Sequence, residues 1–251
     1  MSKLEHSAWQ EFVTCFVDGV TIRRSAQRCK VSVKTAFFMR HRLLEIIEKN
    51  HERAAIGGGV HGYIDETYFP LNYKGSTPIG RKAHRRGKSS GARGLSKNLA
   101  CIVMGTTSTG ESFYQLAGCG GLSKKRARLA LSDIVKENAH IHTDGAAAYD
   151  GLFEQLGATH RCWDTKKERG RLSPVNSLHS KTKRFMRRFN GVATKYMPRY
   201  LAWMLWLDNS SEEDVLEAAI IDTYTVKRIK MTGEYLPPMD DLTRQTVTRM
   251  L

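Results

Sequence analysis

The amino-acid sequence predicts an α/β fold, a mixed sheet flanked by helices, preceded by a small all-α domain. The first 50 residues show helical spacing of apolar side chains and contain no proline. Three consecutive glycines follow at 57–59, and beyond them strand-like segments alternate with helical ones. Because alternating strands and helices must cover both faces of a sheet, helices are expected on each side of it.

Three helices are predicted in the first 50 residues. The segment "SAWQEFVTCFVDG" has apolar residues at helical spacing and ends at Gly19. A second helix is expected from about Thr21 to Cys29, and a third begins near Ser32, which fits an N-cap. A tight break before a basic third helix is typical of a helix-turn-helix, whose second helix enters the major groove of DNA. The residues expected near that groove are Lys34, Thr35, Phe38 and Arg40. A small three-helix unit that binds no DNA would look the same, and this alternative stays open.

The segments after the glycines are predicted as three strands, a helix, a strand, a helix, a strand and a helix. The strands are expected in "GYIDETYF", in a hairpin "LACIVMGTTSTGESFYQLAG", in "HIHTDG" and in "ATHRCWD". The helices are expected in "KKRARLALSDIVKENA", "AAAYDGLFEQLG" and "VNSLHSKTKRFMRRFNG". The predicted domains are residues 1–50 (helix-turn-helix), 51–60 (glycine-rich linker), 61–207 (main α/β domain) and 208–251 (peripheral C-terminal segment).

The charge of the chain indicates a polyanionic partner. Lys and Arg number 40 against 25 Asp and Glu, which gives a formal net charge of +15. Such a balance favours binding to nucleic acid through phosphate contacts, with a membrane surface as the competing polyanion. The sequence has no run of 18 apolar residues, and its N-terminus lacks the apolar core of a signal peptide. We therefore expect a soluble, cytoplasmic protein whose leading partner is nucleic acid, with no membrane partner and no small-molecule cofactor.

Residues 74–97 form a basic segment that interrupts the order of strands. The segment carries eight Lys or Arg and no acid, and it is rich in Gly and Ser, which is typical of a loop. A solvated run of charge is one interpretation, and a loop that embraces DNA phosphates is the other. On the second interpretation, the expected phosphate-binding residues are Arg81, Lys82, Arg85 and Arg86.

Two aspartates are placed to converge in the predicted sheet. Asp65 lies within the strand "HGYIDETYF", and Asp144 ends the strand "HIHTDG". If those strands are neighbours, the two carboxylates repel each other, and a cation such as Mg²⁺ is needed to hold them ionised. The alternative is that Asp144 is only the turn residue of an Asp-Gly step. Glu66 is given a secondary place, because neighbouring strand residues point to opposite faces.

The last basic helix offers further candidates on one face. Asn176, His179 and Lys183 follow the helical spacing that brings side chains together. An asparagine oxygen or a histidine nitrogen could complete a metal site, although imidazole suits Mg²⁺ less well than oxygen does. An N-cap asparagine and a packed histidine are the alternatives. Lys183 is expected to bind DNA phosphate, and the arginines expected to follow the DNA backbone are Arg184, Arg187 and Arg188.

Several of these segments together resemble a known family. "YIDETYF", the basic loop, "HTDGAAAY" and "VNSLHSKTKRFMRRFNGVATKYMPRYLAW" resemble the DDE-type transposases of bacterial insertion sequences, in particular the ISXO-two-like group. The resemblance extends over about residues 60–207, and the helix-turn-helix before it also fits this group. It implies an RNase H-like fold and an enzyme of transposition and DNA recombination. Such an enzyme cleaves DNA at the terminal inverted repeats of a mobile element and joins the 3′-hydroxyl ends to target DNA.

The resemblance also assigns roles to residues. It implies that Asp65 and Asp144 are the catalytic aspartates, that the cofactor is Mg²⁺ or Mn²⁺ as two ions, and that the protein acts as a nucleoid-associated homo-oligomer on double-stranded DNA. Members carry Glu or Asn at the third place with Lys seven residues later, and Asn176 with Lys183 fits the Asn form. His179 lies close to where some relatives have Glu, so the third metal ligand is either Asn176 or His179.

One departure from the family leaves other functions open. Relatives commonly have a cysteine-rich zinc ribbon before the helix-turn-helix, and this chain begins at Met1 without one. A catalytically inactive or truncated DNA-binding repressor of transposition is therefore the main alternative. A nuclease that cuts DNA without joining it is another.

Overall fold

A computed structural model describes residues 4–50, 54–74, 94–164 and 166–209 of the 251-residue chain. The described residues fall into two compact units, one made of 4–50 with 199–209 and the other lying within 54–198. The residues outside the described ranges include the predicted phosphate-binding set, Arg81, Lys82, Arg85 and Arg86, and the C-terminal segment beyond 209.

Seven α-helices and five strands are present in the described part of the chain. The helices are α1 (His6–Val17), α2 (Ile22–Arg28), α3 (Val33–Asn50), α4 (Lys124–Leu131), α5 (Leu152–Gln155), α6 (Ser173–Arg187) and α7 (Met197–Asn209). The strands are β1 (His61–Pro70), β2 (Leu99–Thr107), β3 (Ser112–Cys119), β4 (His140–Thr143) and β5 (Thr159–Cys162). Among these helices, none combines the length and the apolar character needed to cross a membrane.

The first unit contains the three predicted helices. The hydroxyl of Thr21 accepts a hydrogen bond from the Arg24 backbone N–H at 3.5 Å, which caps α2, and Ser32 accepts one from Thr35 N–H at 3.0 Å, which caps α3. The N-cap predicted at Ser32 is therefore confirmed. Lys34 at the start of α3 is exposed, and Thr35 beside it is half-buried.

Residues of α7 complete the core of this unit. Trp203 is fully buried, and its ring stacks on Phe16 of α1 with the ring centroids 4.1 Å apart. Residues 199–207 were expected in the α/β domain, whereas these contacts join them to the N-terminal helices. The other domain limits, at residues 50 and 60, stay predictions.

The position of Arg40 corrects one sequence prediction. Its side chain was expected near the DNA groove, but only 3% of the residue is exposed. Its Nη2 donates a hydrogen bond to the Val20 carbonyl at 2.6 Å, and its guanidinium lies 5.5 Å from the centre of the Trp203 ring. The reason is helical spacing, because Arg40 follows Ala36 by one turn on the buried face of α3. Phe38, by contrast, is 39% exposed.

The second unit is built on a mixed sheet of five strands in the order β3-β2-β1-β4-β5. β1 pairs antiparallel with β2, which pairs antiparallel with β3, while β1, β4 and β5 are parallel. The hairpin between β2 and β3 turns through Gly110, whose φ of 95° suits glycine. The predicted mixed sheet is confirmed, and β1 and β4 are neighbours.

Helices cover both faces of the sheet, as predicted. On one face, Ile64 of β1 packs with buried residues of α4 and α5, including Leu131 and Phe153. On the other face, Tyr63 of β1 packs against Trp163 and Val175 beside α6. Residues of β1 therefore alternate between two cores.

Two predicted helices are shorter than expected. The helix predicted over "KKRARLALSDIVKENA" ends at Leu131, because Val135 leaves helical geometry to form a bridge with Ile56. The helix predicted over "AAAYDGLFEQLG" is divided into a 3₁₀ turn, Ala147–Tyr149, and α5, with Gly151 between them at a φ of 68°. The remaining predicted elements of this unit are confirmed.

Candidate active site

Asp65 lies in the middle of β1, on the sheet face that α6 covers. Its side chain is 20% exposed. One carboxylate oxygen, Oδ1, accepts a hydrogen bond from the Glu66 backbone N–H at 2.8 Å. The other, Oδ2, lies 3.7 Å from Nδ1 of His179 on α6. Asp65 is thus held by its own strand on one side and faces a helix on the other.

Asp144 is the first residue after β4, beside β1 in the sheet. Its Oδ1 accepts a hydrogen bond from the Ala146 backbone N–H at 3.1 Å, so the predicted Asp-Gly turn is present. Gly145 has a φ of 82°, and the Sγ atom of Cys162 occupies the place where a Cβ would be. The turn does not exclude a second role, because the charge of Asp144 raises the pKa of Asp65 across the site.

Helix α6 carries the other candidates, which differ in burial. Asn176 is the fourth residue of α6 and is exposed, and the N-cap position belongs to Leu172, so the N-cap interpretation of Asn176 is wrong. His179 is buried. Lys183 is exposed, and its positive charge lowers the pKa of both Asp65 and His179. The spacing that predicted a shared face is therefore consistent with the structure.

The electrostatic environment of the site makes ionisation of Asp65 unfavourable. Burial raises the pKa of Asp65 to about 7, and the charges of Asp144 and Glu66 add to this effect. Burial lowers the pKa of His179 to about 4, and Lys183 lowers it further, so the imidazole is neutral at pH 7. A carboxyl group that is half-ionised near pH 7 would be fully ionised beside a bound cation.

The side chains present fit a hard divalent cation held by few protein ligands. Within the described ranges, no three His, Cys, Asp or Glu side chains are grouped as a metal cluster. The candidate donors are the carboxylates of Asp65 and Asp144, the amide oxygen of Asn176 and the imidazole of His179, whose Nδ1 faces Asp65 while Nε2 is its second ring nitrogen. That Nε2 is buried and has no hydrogen-bond partner among the residues described. This set fits Mg²⁺ or Mn²⁺, because Mg²⁺ uses one or two carboxylates and keeps positions for water and phosphate oxygens.

A row of stacked rings lies next to the two aspartates, on the residues that precede them in β1 and β4. Tyr63 and His142 lie two residues before Asp65 and Asp144, and their rings stack with centroids 4.9 Å apart. Trp163 Nε1 donates a hydrogen bond to His142 Nδ1 at 3.1 Å. Because an indole N–H can only donate, His142 carries its proton on Nε2 and donates to His61 Nδ1 at 2.9 Å. Burial lowers the pKa of His142 to about 4, so this row is neutral and rigid.

Neither this row of rings nor one further contact was predicted from the sequence. Tyr149 is fully buried, and its hydroxyl donates a hydrogen bond to Glu66 Oε2 at 2.7 Å. Glu66 follows Asp65 in β1 and so points to the opposite face of the sheet, as predicted, where it contacts Tyr149 of the 3₁₀ turn. The only sequence signal for the contact is the tyrosine five residues after Asp144 in "HTDGAAAY".

Basic side chains line the exposed side of α6. Arg184, Arg187 and Arg188 are exposed, in agreement with a surface that follows a DNA backbone. Phe185, which alternates with them, is buried and serves packing. Arg161 and Arg171 extend this basic surface near the start of α6, where their guanidinium groups lie 3.8 Å and 5.0 Å from the centre of the Trp163 ring.

The sequence of this unit matches a known family. The model of the ISXO2-like transposase domain matches residues 56–209, which is more than half of the chain. The chain belongs to the ISXO2-like transposase family. The sheet order and the helices on both faces confirm the RNase H-like fold expected of such a transposase. Among curated proteins, none matches this ISXO2-like transposase.

The transposase is also similar to solved structures at low sequence identity. The catalytic core domain of BIV integrase is 14% identical, with 67% of this chain and 98% of that chain covered and a TM-score of 0.40. A simian T-cell lymphotropic virus intasome, in complex with a PP2A regulatory subunit, is 12% identical, with coverage of 88% and 70% and a TM-score of 0.36. A pre-cleavage Mos1 transpososome is 11% identical, with coverage of 94% and 81% and a TM-score of 0.29.

Proposed function

We propose that this ISXO2-like transposase cleaves DNA at the terminal inverted repeats of its element and joins the freed 3′-hydroxyl ends to target DNA. The observation that supports the proposal is the parallel pairing of β1 with β4 in register at Tyr63 and His142, two residues before Asp65 and Asp144, with His179 Nδ1 of α6 3.7 Å from Asp65 Oδ2. Burial raises the pKa of Asp65 to about 7, and the charge of Asp144 contributes to this rise, as is common for carboxylates in functional sites. Membership of a transposase family supports the same reaction.

The proposed role of the carboxylates is to hold divalent metal at a DNA phosphate. Asp65 and Asp144 are the proposed ligands, with Asn176 or His179 in the third place. Bound Mg²⁺ or Mn²⁺, as two ions, would supply the charge that activates the attacking oxygen and stabilises the leaving oxygen. Asp65 is fixed by the Glu66 backbone N–H and Asp144 by its own turn, so both oxygen donors are already oriented.

The remaining residues are proposed to place the DNA. Lys183 would contact the phosphate beside the carboxylates, and Arg184, Arg187 and Arg188 would follow the backbone along α6. Lys34 and Thr35 at the start of α3 would contact the element ends in the major groove. The basic loop residues 81–86 would add phosphate contacts. We further propose that the transposase acts as a homo-oligomer on paired ends, in the cytoplasm at the nucleoid.

The proposal is tested by incubating a labelled terminal inverted-repeat duplex with Mg²⁺ and measuring cleavage and joining separately. Asp65→Ala and Asp144→Ala are expected to abolish both steps while DNA binding persists. Asp133→Ala, which changes an exposed aspartate outside the site, is the matched control and should behave like the wild type. Binding without cleavage by the wild type on correct ends would favour a repressor. Cleavage without joining would favour a nuclease.

A further inference from the structure

Glu66 is a half-buried carboxylate beside the site that the proposed chemistry does not use. It lies two residues after Ile64 in β1 and so on the same face of the sheet, where Ile64 packs with residues of α4 and α5. Oε2 accepts a hydrogen bond from Tyr149 at 2.7 Å, and Oε1 accepts one from Tyr68 at 3.4 Å. A carboxylate beside an apolar core is costly unless it is hydrogen-bonded, so these two hydroxyls account for its presence there.

Tyr149 belongs to the segment that carries Asp144. The Tyr149 backbone N–H donates to the Ala146 carbonyl at 3.0 Å, and the Ala146 N–H donates to Asp144 Oδ1 at 3.1 Å. Three separate hydrogen bonds therefore link the Asp144 side chain to Ala146, Ala146 to the Tyr149 backbone, and the Tyr149 hydroxyl to Glu66. The ring of Tyr149 stacks on Phe153 of α5, with centroids 5.8 Å apart, which fixes the direction of its hydroxyl.

We propose that the Glu66–Tyr149 hydrogen bond is a latch that positions Asp144 beside Asp65, and this inference rests on the proposed function. Glu66 follows Asp65 directly in β1, so the latch joins the strand that carries one aspartate to the segment that carries the other. Such a tether is needed because Asp65 and Asp144 repel each other. Glu66 and Tyr149 are positioning residues, since Glu66 points away from the face where Asp65 lies.

The first test measures the latch in the protein alone, without metal or DNA. Tyr149→Phe removes only the hydroxyl and keeps the ring stack, while Tyr68→Phe removes the other hydroxyl that Glu66 accepts. We expect the amides of Ala146 and Tyr149 to exchange their hydrogens about tenfold faster in Tyr149→Phe, because the segment opens more often. In Tyr68→Phe those two amides should exchange as in the wild type. Equal exchange in Tyr149→Phe and the wild type would overturn the latch.

The second test measures the metal requirement of cleavage. In Tyr149→Phe the Mg²⁺ concentration for half-maximal cleavage should rise about fivefold to tenfold, as expected for loss of a hydrogen bond to a charged group, with DNA affinity unchanged. Glu66→Gln should show a smaller rise, because the amide oxygen can still accept from Tyr149. The double variant should resemble Tyr149→Phe alone, since both changes act on one contact.

Three results of the second test have distinct meanings. A metal requirement unchanged in Tyr149→Phe, despite faster exchange, would overturn the positioning role. A rise in Glu66→Gln without one in Tyr149→Phe would show that Glu66 acts directly on the metal, which also overturns the latch. If the wild type shows no metal-dependent cleavage, the proposed function fails, and the exchange measurement alone decides whether the latch holds the segment.

Discussion

Asp65 lies where its own ionisation is opposed, since burial and Asp144 raise its pKa to about 7. A structural carboxylate in such a place would gain a hydrogen-bonded cationic partner, yet the group nearest to Oδ2 is the neutral His179. The arrangement instead suits a cation that arrives with DNA. With an asparagine in the third place the site has two formal negative charges rather than three, so its affinity for Mg²⁺ should be modest.

Adding a carboxylate at position 176 tests this view of the site. Asn176→Glu should lower the Mg²⁺ concentration for half-maximal cleavage by about tenfold, because a third negative charge adds to the attraction. Ser177→Glu adds the same charge at the neighbouring exposed position, which points about 100° away around α6, and should change little. Equal half-saturation in Asn176→Glu and the wild type would remove Asn176 from the metal site, and His179→Ala measured in the same way would then test the other candidate.

Gly145 is a second residue on which the position of Asp144 depends. Gly145→Ala should destabilise the protein by about 1–3 kcal/mol and reduce cleavage strongly, since a side chain is strained at its φ and collides with Cys162 Sγ. Urea unfolding and cleavage assays measure the two effects. Cys162→Ala in the same background removes the collision but leaves the backbone strain, so it should restore only part of the stability. A fully active and stable Gly145→Ala protein would contradict this reading of the turn.

At the scale of elements, α3 carries both a residue proposed to contact DNA, Lys34, and a residue that holds the fold, Arg40. Lys34→Ala should weaken binding to the element ends and reduce the slope of log K against log salt by about one, as loss of one phosphate contact does. Arg40→Ala should instead destabilise the first unit by about 1–3 kcal/mol, because it removes a buried donor to the Val20 carbonyl. Salt-dependent DNA binding and thermal unfolding, measured for both variants, test these two roles. An Arg40→Ala protein that is as stable as the wild type but has a reduced salt slope would show that Arg40 contacts DNA and does not hold the fold.

The helices and strands also show which features of the fold can be predicted from the sequence. Apolar spacing and glycines were sufficient for all five strands, for α1–α3 and for α6, because these patterns report burial directly. The end of α4 was missed since Ile134 and Val135 are buried like helix residues, while their backbone turns to pair with Ile56. The spacing of 176, 179 and 183 predicted a shared face. It could not tell that His179 is buried and Asn176 exposed, because that depends on how α6 lies on the sheet.

Contacts between residues that are distant in the sequence limit how much of the site can be predicted from the sequence. Asp65 and Asp144 could be paired from sequence, because parallel neighbouring strands place equivalent positions side by side. Neither the burial of Arg40 nor the hydrogen bond from Tyr149 to Glu66 could be predicted in this way. Each depends on tertiary packing, which has no period in the sequence.

For the whole molecule, a net charge of +15, a three-helix unit and an RNase H-like unit of a transposase family point to one polyanionic substrate. The charge gathers DNA without regard to sequence, so binding alone would not distinguish a transposase from a repressor. The proposed distinction is metal binding at the two aspartates.

The most direct measurement is metal-specific rescue of cleavage in Asp65→Cys and Asp144→Cys. A thiolate binds Mg²⁺ poorly and accepts softer metals such as Mn²⁺ more readily. If both aspartates hold the metal, each variant should be inactive with Mg²⁺ and regain cleavage of the labelled inverted-repeat duplex with Mn²⁺, while Asp65→Ala and Asp144→Ala stay inactive with either metal. Cleavage by either alanine variant, or two cysteine variants that respond to neither metal although they fold and bind DNA like the wild type, would contradict the account.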